Sequence, residues 1–183
     1  MEKILLAIDA VHPDVGGLEF ACYLAKLTKS RVSGVFMENL VADQKPVFRN
    51  MYEGSYLNWE IDKDSPEYIS KMALIEKNIN LFKEKCIKEE ARHEVLRNQG
   101  VPAKELIAES RFADLIVLDT ETSFKDRPEE GPTAFVNEVL HDAECPVVIA
   151  PESFEGIDEI VFAYNRQWFR PRYEVAEFFR QCC

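Results

Sequence analysis

Asp114-Leu115-Ile116-Val117-Leu118-Asp119, a polar loop, Gly131-Pro132-Thr133, an amphipathic stretch to Asp142, then Pro146-Val147-Val148-Ile149-Ala150: residues 114–150 decide the fold. Both apolar runs are continuous rather than alternating, as in strands covered on both faces. Between them lie a loop and a helix start, the place where open α/β sheets hold ligands. The layout points to a nucleotide site, and the loop residues argue against one.

Working upstream, Lys3 to Asp9 is another apolar run, ending in an acid, and Arg31 to Met37 is the second strand. His12-Pro13-Asp14 opens a helix between them, with Leu18, Ala21, Cys22 and Ala25 on one face. Ser65-Pro66-Glu67 starts a long helix carrying Met72, Ile75, Ile79, Phe82 and Cys86 at spacings of three and four. A packed helix on a sheet explains that stripe better than a coiled coil. His93 to Arg97 is a short edge-like strand, and Pro102 to Ser110 a helix. Leu115 to Leu118 is the fourth strand. Pro132 to Asp142 is a helix with Phe135, Val136, Val139 and Leu140 inward, and Val147 to Ala150 the fifth strand. The alternation predicts an α/β fold: an open five-stranded parallel sheet with helices on both faces. Residues 39–64 break the pattern, with Phe48, Met51, Tyr52, Tyr56, Leu57 and Trp59 scattered without period. Such a segment serves as a lid, a surface for a protein partner, or an insertion packed on its own domain.

Downstream, Glu159-Ile160-Val161-Phe162-Ala163-Tyr164-Asn165 echoes Lys3-Ile4-Leu5-Leu6-Ala7-Ile8-Asp9, and Tyr173 to Arg180 reads as the helix that follows. The expected organisation is one domain over 1–151, then a linker and the extra strand and partial helix of an incomplete second copy over 152–183. The apolar strand at 160–164 is expected to pair with a sheet edge of its own or a neighbouring chain.

The chain has 183 residues, 46% of them hydrophobic, enough for one full core. Lys and Arg total 22 against 33 Asp and Glu, a net charge of −11. That balance disfavours nucleic acid and anionic membrane as partners, because phosphate binding needs clustered cations. Met1-Glu2-Lys3 leads straight into Ile4–Ile8, too short a run to span a bilayer. Cys22, Cys86, Cys145, Cys182 and Cys183 show no ligand spacing, and Cys182-Cys183 reads as an exposed oxidation hazard. A reducing, cytoplasmic setting is expected.

Lys3–Asp9, Arg92–Gly100, Glu105–Ser110, Ala113–Val117 and above all Val139-Leu140-His141-Asp142-Ala143-Glu144-Cys145-Pro146-Val147-Val148 together resemble the universal stress protein family over about residues 2–151. The repeat from Glu159 resembles its tandem form. The resemblance implies strand order 3-2-1-4-5, and homodimers or tandem pseudo-dimers joined through the fifth strands. Many members bind ATP with G-x-x-G-x9-G-[ST] after the fourth strand, where glycines, amide N–H groups and a helix N-terminus cradle phosphates. Here Asp119 and Thr122 replace the first two glycines. The spacer Ser123–Glu130 is one residue short, and Gly131 is followed by Pro132, with Thr133 a place late. Proline removes an amide donor. Between Asp119 and Glu130 stand five acids (Asp119, Glu121, Asp126, Glu129, Glu130) and two bases (Lys125, Arg127). Two like charges about 4 Å apart cost on the order of 1 kcal/mol in water and about 4 at an effective dielectric of 20. One acid facing the phosphates therefore weakens binding by roughly one to three decades. A divalent cation held by the acids reverses that sign. Ala10-Val11 also departs from the Gly-Ser often found after the first strand.

The degenerate candidate set is Asp9, Asp119, Thr122, Gly131 and Thr133, with no cofactor assigned and ATP or AMP as the candidate ligand. Asp9 either approaches a nucleoside, as the resemblance implies, or fixes its own loop. His12 is read as a loop histidine without a nucleophile or orienting partner. His93 and His141 fall on an edge strand and a helix surface, and three scattered histidines make no metal site. Glu129-Glu130 reads as solvated surface, and Cys145 as a structural thiol. No catalytic set is recognisable. A phosphoryl-accepting receiver shares the layout but lacks paired acids after the first strand. Two expectations remain: an interaction protein without tight ATP binding, or an adenine-nucleotide module with at most slow hydrolysis, residues 39–64 serving as its lid.

Overall fold

The computed structural model describes residues 1–51, 54–125, 129, 132–151, 154 and 157. The repeated strand and helix expected beyond 158, Gly131, and Cys182-Cys183 lie outside these residues.

Five parallel strands form the sheet. β1 (Lys3–Asp9) is central, flanked by β2 (Arg31–Met37) and β6 (Leu115–Leu118). Outside these lie β5 (Arg92–Asn98) and β7 (Val147–Ile149), giving order β5-β2-β1-β6-β7. With the two strands that lie outside this sheet set aside, that is the expected 3-2-1-4-5. Ile4, Leu6, Ile8, Val32, Phe36, Leu115 and Val117 pack beneath α1 (Val15–Thr28) and α2 (Pro66–Lys88). Leu5, Ala7, Val35, Met37, Ile116 and Leu118 pack against α3 (Pro102–Ser110) and α4 (Ala134–Asp142). The period-two alternation of a strand thus feeds two separate apolar layers.

Helix starts follow local chemistry. The Asp14 carboxylate accepts from Gly16 N and Gly17 N, and Ser65 accepts from Tyr68 N just ahead of Pro66. Two expectations are corrected at the fourth helix. It begins at Ala134, because Thr133 is the cap whose hydroxyl accepts from Val136 N. Leu140 is 49% exposed, since its place in the turn faces away from the sheet.

The insertion has regular structure. After a short 3₁₀ turn (Leu40–Asp43), β3 (Lys45–Met51) and β4 (Gly54–Glu60) pair antiparallel as a two-stranded ribbon apart from the main sheet. Val47, Leu57 and Trp59 remain exposed on it. After β7 the chain returns to α1, where the Phe154 ring meets Phe20 at 5.1 Å and Tyr23 at 4.7 Å.

Gly34 sets how closely α2 approaches the sheet. A Cβ there would lie 2.8 Å from Phe82 Cζ and 3.2 Å from Ile8 Cδ1. Phe82 is itself wedged edge-on to Phe36 and His93, so it has little room to yield. Gly34→Ala should destabilise by about 1–3 kcal/mol through overpacking. The check is the urea midpoint, which should fall with an unchanged m-value.

Candidate functional site

Polar side chains at the carboxyl ends of the strands, and from the loops and helix beside them, surround a cleft of about 500 Å³. That size lies within the ~300–1,000 Å³ typical of small-molecule sites. Asp9 and His12 come from the end of β1 and its loop, Glu38 and Asn39 from the end of β2. Ser70, Lys71 and Leu74 come from α2, and Ser123, Phe124 and Lys125 from the loop after β6. The 3₁₀ turn closes one side with Ala42 and Asp43.

Most of these polar groups are already engaged. Asp9 Oδ1 accepts from Val11 N at 2.8 Å and His12 N at 3.2 Å, and Oδ2 lies 3.5 Å from His12 Nδ1. Asp9 therefore fixes its loop while also lining the cleft. Glu38 is buried, and its carboxylate receives Arg97 Nε at 2.5 Å and Gln99 Nε2 at 3.2 Å. That pairing raises the Arg97 guanidinium above its ordinary value, with Glu38 as the main cause. Lys71 Nζ donates to Asp43 at 2.5 Å, and Lys125 Nζ to Glu129 at 2.6 Å. Each cleft-lining lysine thus faces a carboxylate of its own chain.

The loop after β6 is organised by Glu129. Its Oε2 accepts from Ser123 Oγ at 2.8 Å, and its Oε1 accepts from Lys125 and, at 3.2 Å, from Ala134 N at the start of α4. The side chain is only 18% exposed. The expectation of a solvated surface acid is corrected: the carboxylate sits on the positive end of a helix, which favours it there. Its acidity shifts below the usual 4.5, first through the Lys125 hydrogen bond and then through Ser123.

Among the described candidates, only Asp9 lines the cleft. Asp119 Oδ2 accepts from Glu121 N at 3.2 Å, turning the chain at the end of β6. Thr133 is buried, caps α4, and donates its hydroxyl to the Thr122 carbonyl at 2.5 Å. Asp119, Thr122 and Thr133 therefore hold the loop's shape. Sequence reasoning missed Asn78, a buried amide on α2 that donates to the carbonyls of Ala10 at 2.9 Å and Val11 at 3.1 Å. It ties the loop after β1 to the helix opposite. Its signal was a polar residue amid the Ile75, Ile79 and Phe82 stripe.

Burial pushes the Cys145 thiol up to about 11, with Asp114 adding to the effect, which suits a structural role. Among the described residues no group of three or more His, Cys, Asp or Glu could hold a metal ion, and no helix is long and apolar enough to cross a membrane.

No family model and no curated protein matches the sequence. Solved structures do match. A universal stress protein from Archaeoglobus fulgidus superposes with TM-score 0.54 at 17% identity, covering 82% of this chain and 94% of that one. The Archaeoglobus fulgidus universal stress protein in complex with dAMP gives 0.53 at 15% identity, covering 82% and 98%. An Arabidopsis thaliana universal stress protein family protein with AMP bound gives 0.51 at 14% identity, covering 82% and 91%. With its strand order, two-layer helices and cleft at the strand ends, this chain has the universal stress protein fold.

Proposed function

We propose that this chain is a universal stress protein-like interaction and regulatory domain that does not hold ATP tightly. The observation that carries this reading is Glu129. Its carboxylate sits on the N-terminus of α4, where the fold's glycine motif would offer amides to phosphate, and it also engages Lys125. A triphosphate entering there would displace a carboxylate already bound to the same donors, and Lys71 would have to leave Asp43. The cradle residues as they stand do not fit a nucleotide polyphosphate. The exposed Val47, Leu57 and Trp59 of the ribbon support a protein partner at 39–64.

The second reading, an adenine-nucleotide module with at most slow hydrolysis, is favoured by the cleft beside Asp9 and by the AMP and dAMP held in structures of similar fold. Magnesium ATP at millimolar concentration separates the two. Ligand at a hundred times its Kd would stabilise by about 2.7 kcal/mol, raising Tm by roughly 5–10 °C in a chain of this size. No shift is expected. Glu129→Ala frees the helix N-terminus and Lys125, and should make the ATP shift measurable. A wild-type shift of several degrees would favour the second reading.

Glu129 also carries a pH signature. Its folded acidity lies below the unfolded value, so its contribution is present above about pH 4.5 and is lost as pH falls through the depressed folded value. Glu129→Gln should lower the neutral-pH plateau of a Tm-against-pH profile and flatten its fall below about pH 4.5.

We further infer association through β7. It pairs only with β6 among the described residues, and Val147, Val148 and Ile149 are half-buried. A homodimer, or a pseudo-dimer with the repeat at 159–165, would cover that edge. Val148→Lys should lower the sedimentation mass of a homodimer to that of one chain.

A further inference from the structure

We propose that Cys22 and Cys86 form a redox site at which a peroxide joins the two thiols into a disulfide tying α1 to α2. The helices lie side by side on one face of the sheet, and three side-chain pairs meet across them. Glu19 receives Lys85 Nζ at 2.6 Å, Cys22 Sγ lies 3.9 Å from Cys86 Sγ, and Glu89 receives Lys26 Nζ at 2.8 Å. The thiols form the middle rung of a ladder whose outer rungs are ion pairs, and those rungs hold the sulfurs in register. A disulfide needs about 2.05 Å between sulfurs, so the gap must close by roughly 1.9 Å. Rotation about the unbranched side chains and a small approach of the helices supply that without a change of fold. Cys145 belongs to the opposite layer and takes no part.

The two thiols are not equivalent. Cys22 is held below its ordinary 9.0, first by its hydrogen bond with Cys86, against burial and Glu89, with Lys26 and Lys85 assisting. Cys86 is pushed up, first by its hydrogen bond with Cys22 and then by burial. The Lys26 and Lys85 ammonium groups near Cys22 favour its thiolate, so Cys22 serves as the attacking sulfur. Its sulfur displaces hydroxide from hydrogen peroxide as the O–O bond breaks, and the hydroxide takes a proton to become water. Cys22 is left as a sulfenic acid. The Cys86 sulfur then attacks the Cys22 sulfur, its proton leaves with the hydroxyl, and a second water departs. Two thiols are oxidised and one peroxide is reduced to two waters. Both sulfurs are buried, so peroxide reaches them when the α1–α2 contact opens locally.

The crosslink would enclose β2, the ribbon and most of α2. It would also fix the wall of the cleft that Ser70, Lys71 and Leu74 supply. The test treats the folded full-length chain with hydrogen peroxide, blocks remaining thiols with iodoacetamide, and maps peptides without reductant. The expected result is a linked peptide pair containing Cys22 and Cys86, with Tm raised by about 5–10 °C and restored by dithiothreitol. Cys22→Ser should abolish the peroxide-induced rise. If that variant does not fold, the peptide map of the unaltered chain decides alone. Recovery of Cys22 and Cys86 as separate alkylated or sulfinic species, or linked only to other cysteines, overturns the proposal.

Discussion

The whole architecture depends on the double burial of β1. Its backbone pairs with β2 on one side and β6 on the other, and its side chains from Ile4 to Ile8 lie under helices on both faces. A strand so enclosed admits no polar side chain along its length, because each would be stranded from water. Polarity is deferred to Asp9, where the ladder ends. β2 carries one buried hydroxyl, Ser33, which is satisfied by Glu94 at 2.6 Å, and past Met37 the chain places buried Glu38 against Arg97 and Gln99. Chemistry collects at one rim of the sheet because the interior refuses it.

That rim is built for self-pairing. Asp9 holds its own loop, Glu38 holds Arg97, Asp43 holds Lys71 and Glu129 holds Lys125. The Lys71 and Lys125 pairs are partly wet and contribute little to stability by themselves, whereas Glu38 is fully buried and would be a stranded charge without Arg97. Their shared consequence is chemical: the cations around the cleft are neutralised from within the chain. An anionic ligand must compete with a carboxylate of the chain for Lys71 and for Lys125.

Much of this was legible in the sequence, for physical reasons. Continuous apolar runs mark doubly covered strands, and the reading of Arg31–Met37, Pro102–Ser110 and Leu115–Leu118 matches their observed bounds. The ribbon at 45–60 left no period in the sequence, and Val47, Leu57 and Trp59 stay in solvent on it. Glu129 was misread because its environment is assembled from Ser123, Lys125 and the first amide of α4, which meet only once the loop is folded. Asn78 was visible as a misfit on an apolar face, but its partners are carbonyls more than sixty residues away. Cys22 and Cys86 each announced a buried helix face, while their proximity is a property of how two helices cross.

The aromatic contacts of Phe154 have a mechanical consequence. Because its ring is seated on Phe20 and Tyr23, any segment attached beyond it is leashed to α1 as well as to the three-residue strand before it. Tension on that segment would be met first by rings sliding against one another and only afterwards by the hydrogen bonds of β7. The outermost strand is thereby shielded from being peeled away by a pull on the chain beyond Phe154.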